Sequence, residues 1–189
     1  MSLVDPPIDA SDDIKQMWEM ICADDELYSI LSPTCELSVP SLQRFLTARK
    51  GNALDAFEQF KRCAIWRRDN EIDTVFDRPF LEKEFVGYSF GNAIHGKDKE
   101  GRPVFIERMG LMNNSAMVAE CKVDGIKRAH IYHSEKLGKA CRIASEESGI
   151  RDYQYTFLVD LTGFSIKMGS TEQEIFKAIA AIDGTSRIN

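Results

Sequence analysis

His130 and His133 stand three residues apart, with Glu135 close by, in a segment whose apolar spacing predicts a helix. Two imidazoles one turn apart could begin a zinc site. The metalloprotease arrangement needs histidines four apart with a glutamate between them, and no third ligand falls at a suitable spacing. The pair is therefore read as one packing histidine and one solvated histidine, and no metal is expected. Asp160 closes the apolar run "YTFLVDL", at the strand end where α/β enzymes often place catalytic carboxylates. No glycine-rich phosphate loop follows a strand and no Gly-x-Ser-x-Gly elbow occurs, so nothing accompanies that carboxylate. The five cysteines, Cys22, Cys35, Cys63, Cys121 and Cys141, are scattered and odd in number, and read as reduced, mostly buried thiols. Cys63 and Cys141 fall on apolar stripes, where burial suppresses nucleophilicity. The sequence predicts no catalytic residue and no cofactor, and the chain is not read as an enzyme.

The remaining chemistry is basic. Arg44, Arg49, Lys50, Lys61, Arg62, Arg67 and Arg68 crowd one short stretch of a chain whose net charge is -6. That charge argues against nucleic acid as the main partner, because a binder must neutralise phosphates with a cationic surplus. It leaves room for a local patch that takes a single phosphate. Arginine forks onto phosphate oxygens and lysine adds a point charge; the same residues at a helix C-terminus would also serve as a solvated face favoured by the helix dipole.

Helical patterning dominates the first 70 residues. Ser11 caps a segment with Asp12 and Asp13 in its first turn and Ile14, Met17, Trp18, Ile21 and Cys22 on one face. "LSPTCELSVP" interrupts it. From Pro40, Leu42, Phe45 and Leu46 repeat at helical spacing as far as Gly51, a residue suited to the left-handed position after a helix. Asn52 caps a third helix carrying Ala53, Ala56, Phe57, Phe60, Cys63 and Ala64 to about Asn70. A linker, residues 71–84, contains "DTVFDRP".

The pattern then changes. "GYSFGNAI" and "RPVFIERM" flank "HGKDKEG", whose glycines make a loop-bearing hairpin. A long helix follows over "VDGIKRAHIYHSEKLGKACRIASEESG", with Ile126, Ala129, His133, Leu137, Ala140, Cys141 and Ala144 on its stripe. "YTFLVDL", apolar on both faces, predicts a strand covered on both sides and completes a β-α-β unit. Ser170 and Gln173 make a capping-box pattern before a last helix striped by Ile175, Phe176, Ile179 and Ala180. A strand of that kind needs neighbours on both edges, so the patterning predicts a sheet that continues past Asn189. No run approaches the roughly 18 apolar residues of a membrane span, and the acidic "MSLVDPPIDASDD" shows no secretory or transit pattern. A cytoplasmic protein is expected.

These blocks carry a family resemblance. "LQRFLTARKGNALDAFEQFKRCAIWRR" resembles the N-terminal helical module of the CRAL-TRIO family, and "DKEGRPVFIERMG" resembles the first strand of its lipid-binding domain, in the phosphatidylinositol-transfer branch. "FLVDLTGFS" and "AIAAIDG" are similar to two later blocks, in the same order. The resemblance implies an α/β protein: a helical tripod in residues 1–70, then, over 85–189, a partial CRAL-TRIO mixed or parallel sheet flanked by helices, which floors an apolar pocket under a mobile gate helix. In the family the chain continues past the block matching "AIAAIDG", so the resemblance also implies a C-terminally truncated domain.

The resemblance further implies site residues. The Arg-Lys pair that grips inositol phosphate falls on Arg49 and Lys50. The hydroxyl-bearing readers of choline lipids fall, without gaps, on Ile94, Phe105, Ser134, Tyr155 and Phe157, of which only Ser134 and Tyr155 keep a hydroxyl. This disfavours phosphatidylcholine and leaves an inositol lipid or a less polar ligand. Phe105, Ser134, Tyr155 and Phe157 join Arg49 and Lys50 as candidate ligand contacts, while Tyr88, Phe90 and Tyr132 serve as pocket lining or core. The function implied is non-enzymatic binding, transfer or presentation of a phospholipid, phosphatidylinositol first, with transient peripheral membrane contact. The alternative is a protein-interaction or regulatory module with a degenerate pocket, meeting a protein partner or a second copy through an open apolar patch. The first 35 or so residues, with their amphipathic helix, are a possible lid.

Overall fold

The computed structural model describes residues 6–32, 35–78, 91–149, 154–165 and 169–186. Among them are six α-helices and a three-stranded mixed sheet. They fall into two compact units: one runs to Val75 and takes in the chain from Asp183 on, and the other spans Phe76–Ile182.

The first unit is helical. α1 (Asp12–Ala23) starts where the Ser11 hydroxyl accepts from the Ile14 amide, and it buries Ile14, Met17, Trp18, Ile21 and Cys22. α1 packs on the helices over Val39–Ala48 (α3) and Ala53–Asp69 (α4) and contributes five residues to this unit's core, so the expected amphipathic face is spent inside the helical module. α2 (Asp25–Ser29) is a five-residue helix that periodicity did not foresee. Its signal was the Asp24 carboxylate, which accepts from the Leu27 amide and pairs with Lys61 of α4. α3 (Val39–Ala48) is capped by Ser38, carries Pro40 in its first turn, and buries Leu42, Phe45 and Leu46. Lys50 and Gly51 then take left-handed φ values of 54° and 82°, and the Gly51 amide closes the helix on the Leu46 carbonyl at 2.8 Å. Asn52 caps α4 (Ala53–Asp69), whose Phe60 meets Phe45 edge-on at 5.1 Å. The start of the expected linker is a short turn, Ile72–Thr74, with Ile72 buried; residues 79–84, together with Tyr88 and Phe90, lie outside the described residues.

In the second unit β1 (Asn92–Lys97) and β2 (Pro103–Arg108) form the antiparallel hairpin expected around the charged loop. β2 then pairs parallel with β3 (Thr156–Asp160), in the order β1-β2-β3. The crossover is α5 (Asn114–Ser148), which starts nine residues before the expected Val123 and leaves helical geometry at Lys122 (φ 54°, ψ 173°), dividing it into 114–121 and 123–148. Ile126, Ala129, Leu137, Cys141 and Ala144 are buried as expected, whereas His133 and Ala140 are only half-buried. α6 (Ser170–Ser186) begins with the Gly169 carbonyl accepting from the Gln173 amide, which places the helix start one residue earlier than the capping-box reading. Ile175 is buried and Ile179 packs beside it against Met117, Cys121, Ile126 and Ala129 of α5. Phe176 and Ala180 are exposed, because the buried face runs through positions 175, 179 and 182.

One expectation fails. β3 is not covered on both faces: Phe157, Leu158 and Val159 are 46, 51 and 41% exposed. Among the described residues β3 stands at the sheet edge with β2 as its one neighbour, so both faces of its outer side meet solvent.

Two glycines show how differently the turns are constrained. A Cβ on Gly51 would meet nothing closer than Asp13 at 4.0 Å, so an alanine there is opposed by the φ of 82° alone. A Cβ on Gly110 would lie 1.8 Å from the Thr162 carbonyl oxygen, where the turn after β2 passes the turn after β3. We expect Gly51→Ala to cost about 1 kcal/mol in chemical denaturation followed by tryptophan fluorescence, since Trp18 and Trp66 both belong to the helical unit. Gly110→Ala should cost more, on the order of 2–3 kcal/mol, read by calorimetry, because backbone must move to admit the methyl group.

Candidate functional site

The parallel register sets Phe105 opposite Phe157, and the antiparallel register sets Phe105 opposite Ile94. The three residues therefore form one row across the sheet on a single face. Phe105 and Phe157 stack at 5.4 Å, and Tyr155 meets Phe105 edge-on at 6.4 Å and Phe157 at 6.3 Å. Four of the residues that the resemblance implied for headgroup positions, Ile94, Phe105, Tyr155 and Phe157, are thus brought to one place, and it is apolar and partly open to solvent. Phe105 and Tyr155 are half-buried while Phe157 is exposed. Ser134 behaves differently: its hydroxyl donates to the His130 carbonyl at 2.6 Å within α5.

Two carboxylates hold the ends of β3. At its start the Thr156 hydroxyl donates to Asp98 Oδ2 at 2.6 Å, while Asp98 Oδ1 accepts from the Glu100 and Arg102 amides, each at 2.9 Å. At its end Asp160 Oδ1 accepts from the Thr162 amide at 2.9 Å and Oδ2 faces Arg108 Nε at 3.5 Å. Asp160 thus shapes the turn in which Gly163 takes a φ of 79°, in keeping with the backbone-bonding role expected of it. The Thr156 hydroxyl, then the Arg102 amide, hold the Asp98 carboxyl below its ordinary value; Thr162, by hydroxyl and amide, and then Arg108 do so for Asp160. The residues that sequence reasoning passed over are Asp98, Thr156 and Gly110. Asp98 had a signal in the Asp-x-x-Gly spacing of its turn, whereas Thr156 and Gly110 gain their roles only from strands distant in sequence.

In the helical unit, much of the basic cluster is already committed. Lys61 pairs with Asp24, Arg67 with Asp73, and Arg68 with Glu26 and Asp69. Arg49 and Lys50 lie exposed at the C-terminal end of α3, and among the described residues no ion pair engages either of them. Their amides are used by the helix end, accepted by carbonyls of Phe45, Leu46 and Thr47, so the pair has fixed backbone and exposed side chains.

His133 meets the Tyr132 ring at 5.9 Å and Tyr132 packs on Phe76 at 5.2 Å, which places Tyr132 in packing. No group of three or more His, Cys, Asp or Glu residues able to hold a metal occurs among the described residues. All five cysteines are buried, and a hydrogen bond with Cys63, then burial, pushes the Cys35 thiol up. No described helix is long and apolar enough to cross a membrane.

Residues 89–185 match the CRAL/TRIO domain, a span that includes all three strands, α5 and most of α6. The chain belongs to the CRAL/TRIO family. It is 38% identical over 136 residues to the SEC14 cytosolic factor of Eremothecium gossypii, covering 70% of this chain and 44% of that protein. It is 30% identical over 146 residues to the phosphatidylinositol/phosphatidylcholine transfer protein SFH7 of Arabidopsis thaliana, covering 74% of this chain and 26% of the relative. Protein real-time of Drosophila pseudoobscura pseudoobscura matches at 28% over 146 residues, 75% of this chain and 22% of its own. The chain thus spans less than half the length of these curated relatives. Within the family its similarity lies with the phosphatidylinositol/phosphatidylcholine transfer proteins, and the mixed α/β architecture, with a helical unit and a unit built on a mixed sheet, is that of a partial CRAL-TRIO fold.

Groups with depressed carboxyl pKa values contribute stability above the unfolded value and lose it as pH falls through the folded one. Asp98 and Asp160 should therefore leave the melting temperature level near neutrality and lower it below the ordinary value of 3.8. In calorimetry across that window, Asp98→Asn should melt lower than the natural chain at neutral pH and show a shallower acid decline.

Proposed function

We propose that this chain binds a phospholipid, phosphatidylinositol in the first place, and carries or presents it without chemical conversion. The observation that supports this reading best is the open apolar row Ile94, Phe105 and Phe157, flanked by Tyr155, on the sheet of a CRAL/TRIO domain. Relatives that bear the names of phosphatidylinositol/phosphatidylcholine transfer proteins add the ligand class. In this reading residues 85–189 form the lipid-binding domain, with Phe105, Tyr155 and Phe157 meeting the lipid and Ser134 contributing from α5. Residues 1–70 form the helical module, whose exposed Arg49 and Lys50 are the phosphate-binding pair of this reading, with residues 71–84 as the linker.

Acyl chains moving from a bilayer to an apolar protein surface exchange one nonpolar environment for another, so that step has little net cost. The barrier lies in desolvating the headgroup, which a guanidinium and an ammonium without other ion pairs can offset. Replacement of hydroxyls by phenylalanine at positions 105 and 157 removes donors that a choline lipid would use and favours the inositol lipid. The protein would work in the cytoplasm and touch membranes peripherally and transiently. No bond of the lipid is made or broken.

Native mass spectrometry of the full chain, with the released lipids identified in parallel, tests this reading. One inositol phospholipid per chain is expected, and Arg49→Glu should reduce its occupancy by roughly tenfold, the scale of one charge-assisted contact reversed. A folded chain without lipid would instead favour the interaction module, for which the exposed Phe157, Leu158 and Val159 offer a surface. Unchanged occupancy in Arg49→Glu would remove that residue from the headgroup site.

A further inference from the structure

The loop that joins β1 to β2 does more than turn the chain. Asp98 accepts two amides of its own loop, and its own amide donates to the Arg102 carbonyl at 2.9 Å, so its carboxylate is held in place before β3 is considered. That fixed carboxylate reaches the Thr156 hydroxyl, 58 residues away in sequence. Thr156 is the first residue of β3, and side chains alternate along a strand. Thr156 thus points to the face opposite Tyr155 and Phe157, and a tie on its side fixes the position from which both rings project.

The tie acts where the strand begins, beside its backbone pairing with β2. Among the described residues β3 has one sheet neighbour, and Phe157, Leu158 and Val159 are exposed. The ion pair of Arg108 with Asp160 lies at the far end, is longer at 3.5 Å and is exposed on both sides, the kind of pair that contributes little. A hydroxyl donating to a carboxylate is among the stronger hydrogen bonds.

We propose that Asp98 and Thr156 are positioning residues for the lipid face: the loop carboxylate sets the depth and register at which Tyr155 and Phe157 meet Phe105, and so sets affinity for the ligand. This rests on the lipid-binding reading above. Neither residue touches the ligand; both act through the rings.

The test compares the full natural chain with Thr156→Val, which keeps the β-branched shape and deletes the hydroxyl, Thr156→Ser, which keeps the hydroxyl, and Asp98→Asn. Two quantities are read: binding of pyrene-labelled phosphatidylinositol offered in phosphatidylcholine vesicles, and NMR cross-peaks between the ring protons of Phe105 and Phe157. Thr156→Val should weaken binding by roughly tenfold while the chain stays folded, about the equilibrium value of one such bond, and should lose or shift the ring cross-peaks. Thr156→Ser should restore both. Adding Thr156→Val to Asp98→Asn should weaken binding by much less than the product of the two single effects, because both remove one bond. A merely structural role predicts that binding falls only as far as the folded fraction, with the cross-peaks of the folded chain unchanged, and that result overturns the proposal. If Thr156→Val does not fold, Asp98→Asn against Thr156→Ser decides the same question. If the natural chain fails to bind the probe, the lipid reading fails, and the cross-peaks alone then decide whether the tie sets the rings.

Discussion

The parallel pairing of β2 with β3 is the constraint on which the second unit depends. Two parallel strands cannot be joined by a tight turn; the chain must travel back along the sheet before the second strand can begin. α5 makes that journey, and its buried positions, Ile126, Ala129, Leu137, Cys141 and Ala144, are those a helix needs in order to stay packed while it crosses. The register of the pair, Val104 with Thr156 through Arg108 with Asp160, then decides every cross-strand neighbour. A slip of one residue would turn Phe157 to the other face and separate it from Phe105. The ties at the two ends of β3, to Asp98 and to Arg108, and the close passage of Gly110 by Thr162 all act on this one register.

The helical unit is stabilised on different terms. Its core draws on all four of its helices, and its helix starts are capped by side chains of Ser11, Asp24, Ser38 and Asn52, each accepting an amide that the helix itself cannot satisfy. Ion pairs then sort its cations. Lys61, Arg67 and Arg68 of the seven-residue cluster are held in ion pairs, whereas among the described residues no ion pair engages Arg49 or Lys50. Residues with the same charge within 20 positions of one another thus have separate uses, and only their partners distinguish them.

Much of this was legible along the chain. The apolar faces of α1, α3 and α4, the caps Ser11 and Asn52, the hairpin around "HGKDKEG" and the strand-helix-strand unit follow from local patterning, since a helix or strand that must bury one face writes that requirement into its own residues. The misses are equally local in cause. α2 has five residues and one buried leucine, too few for any period to show. The stripe expected for α6 was right at Ile175 and Ile179, which pack on α5, and wrong at Phe176 and Ala180, which are apolar at helical spacing but turn to solvent while Ile182 is buried.

Sequence by itself determined which segments are helices and strands, which residues are charged or aromatic, and, through blocks shared with relatives, the family. It could do so because these properties belong to single residues and their near neighbours. Tertiary structure alone decided that Ile94, Phe105 and Phe157 form one row, that Asp98 holds Thr156, that Gly110 admits no side chain, and that Phe157, Leu158 and Val159 of an apolar strand are exposed. Each of those depends on register or close approach between segments far apart in the chain. A pattern of residue types carries no distance between such segments until the strands have paired.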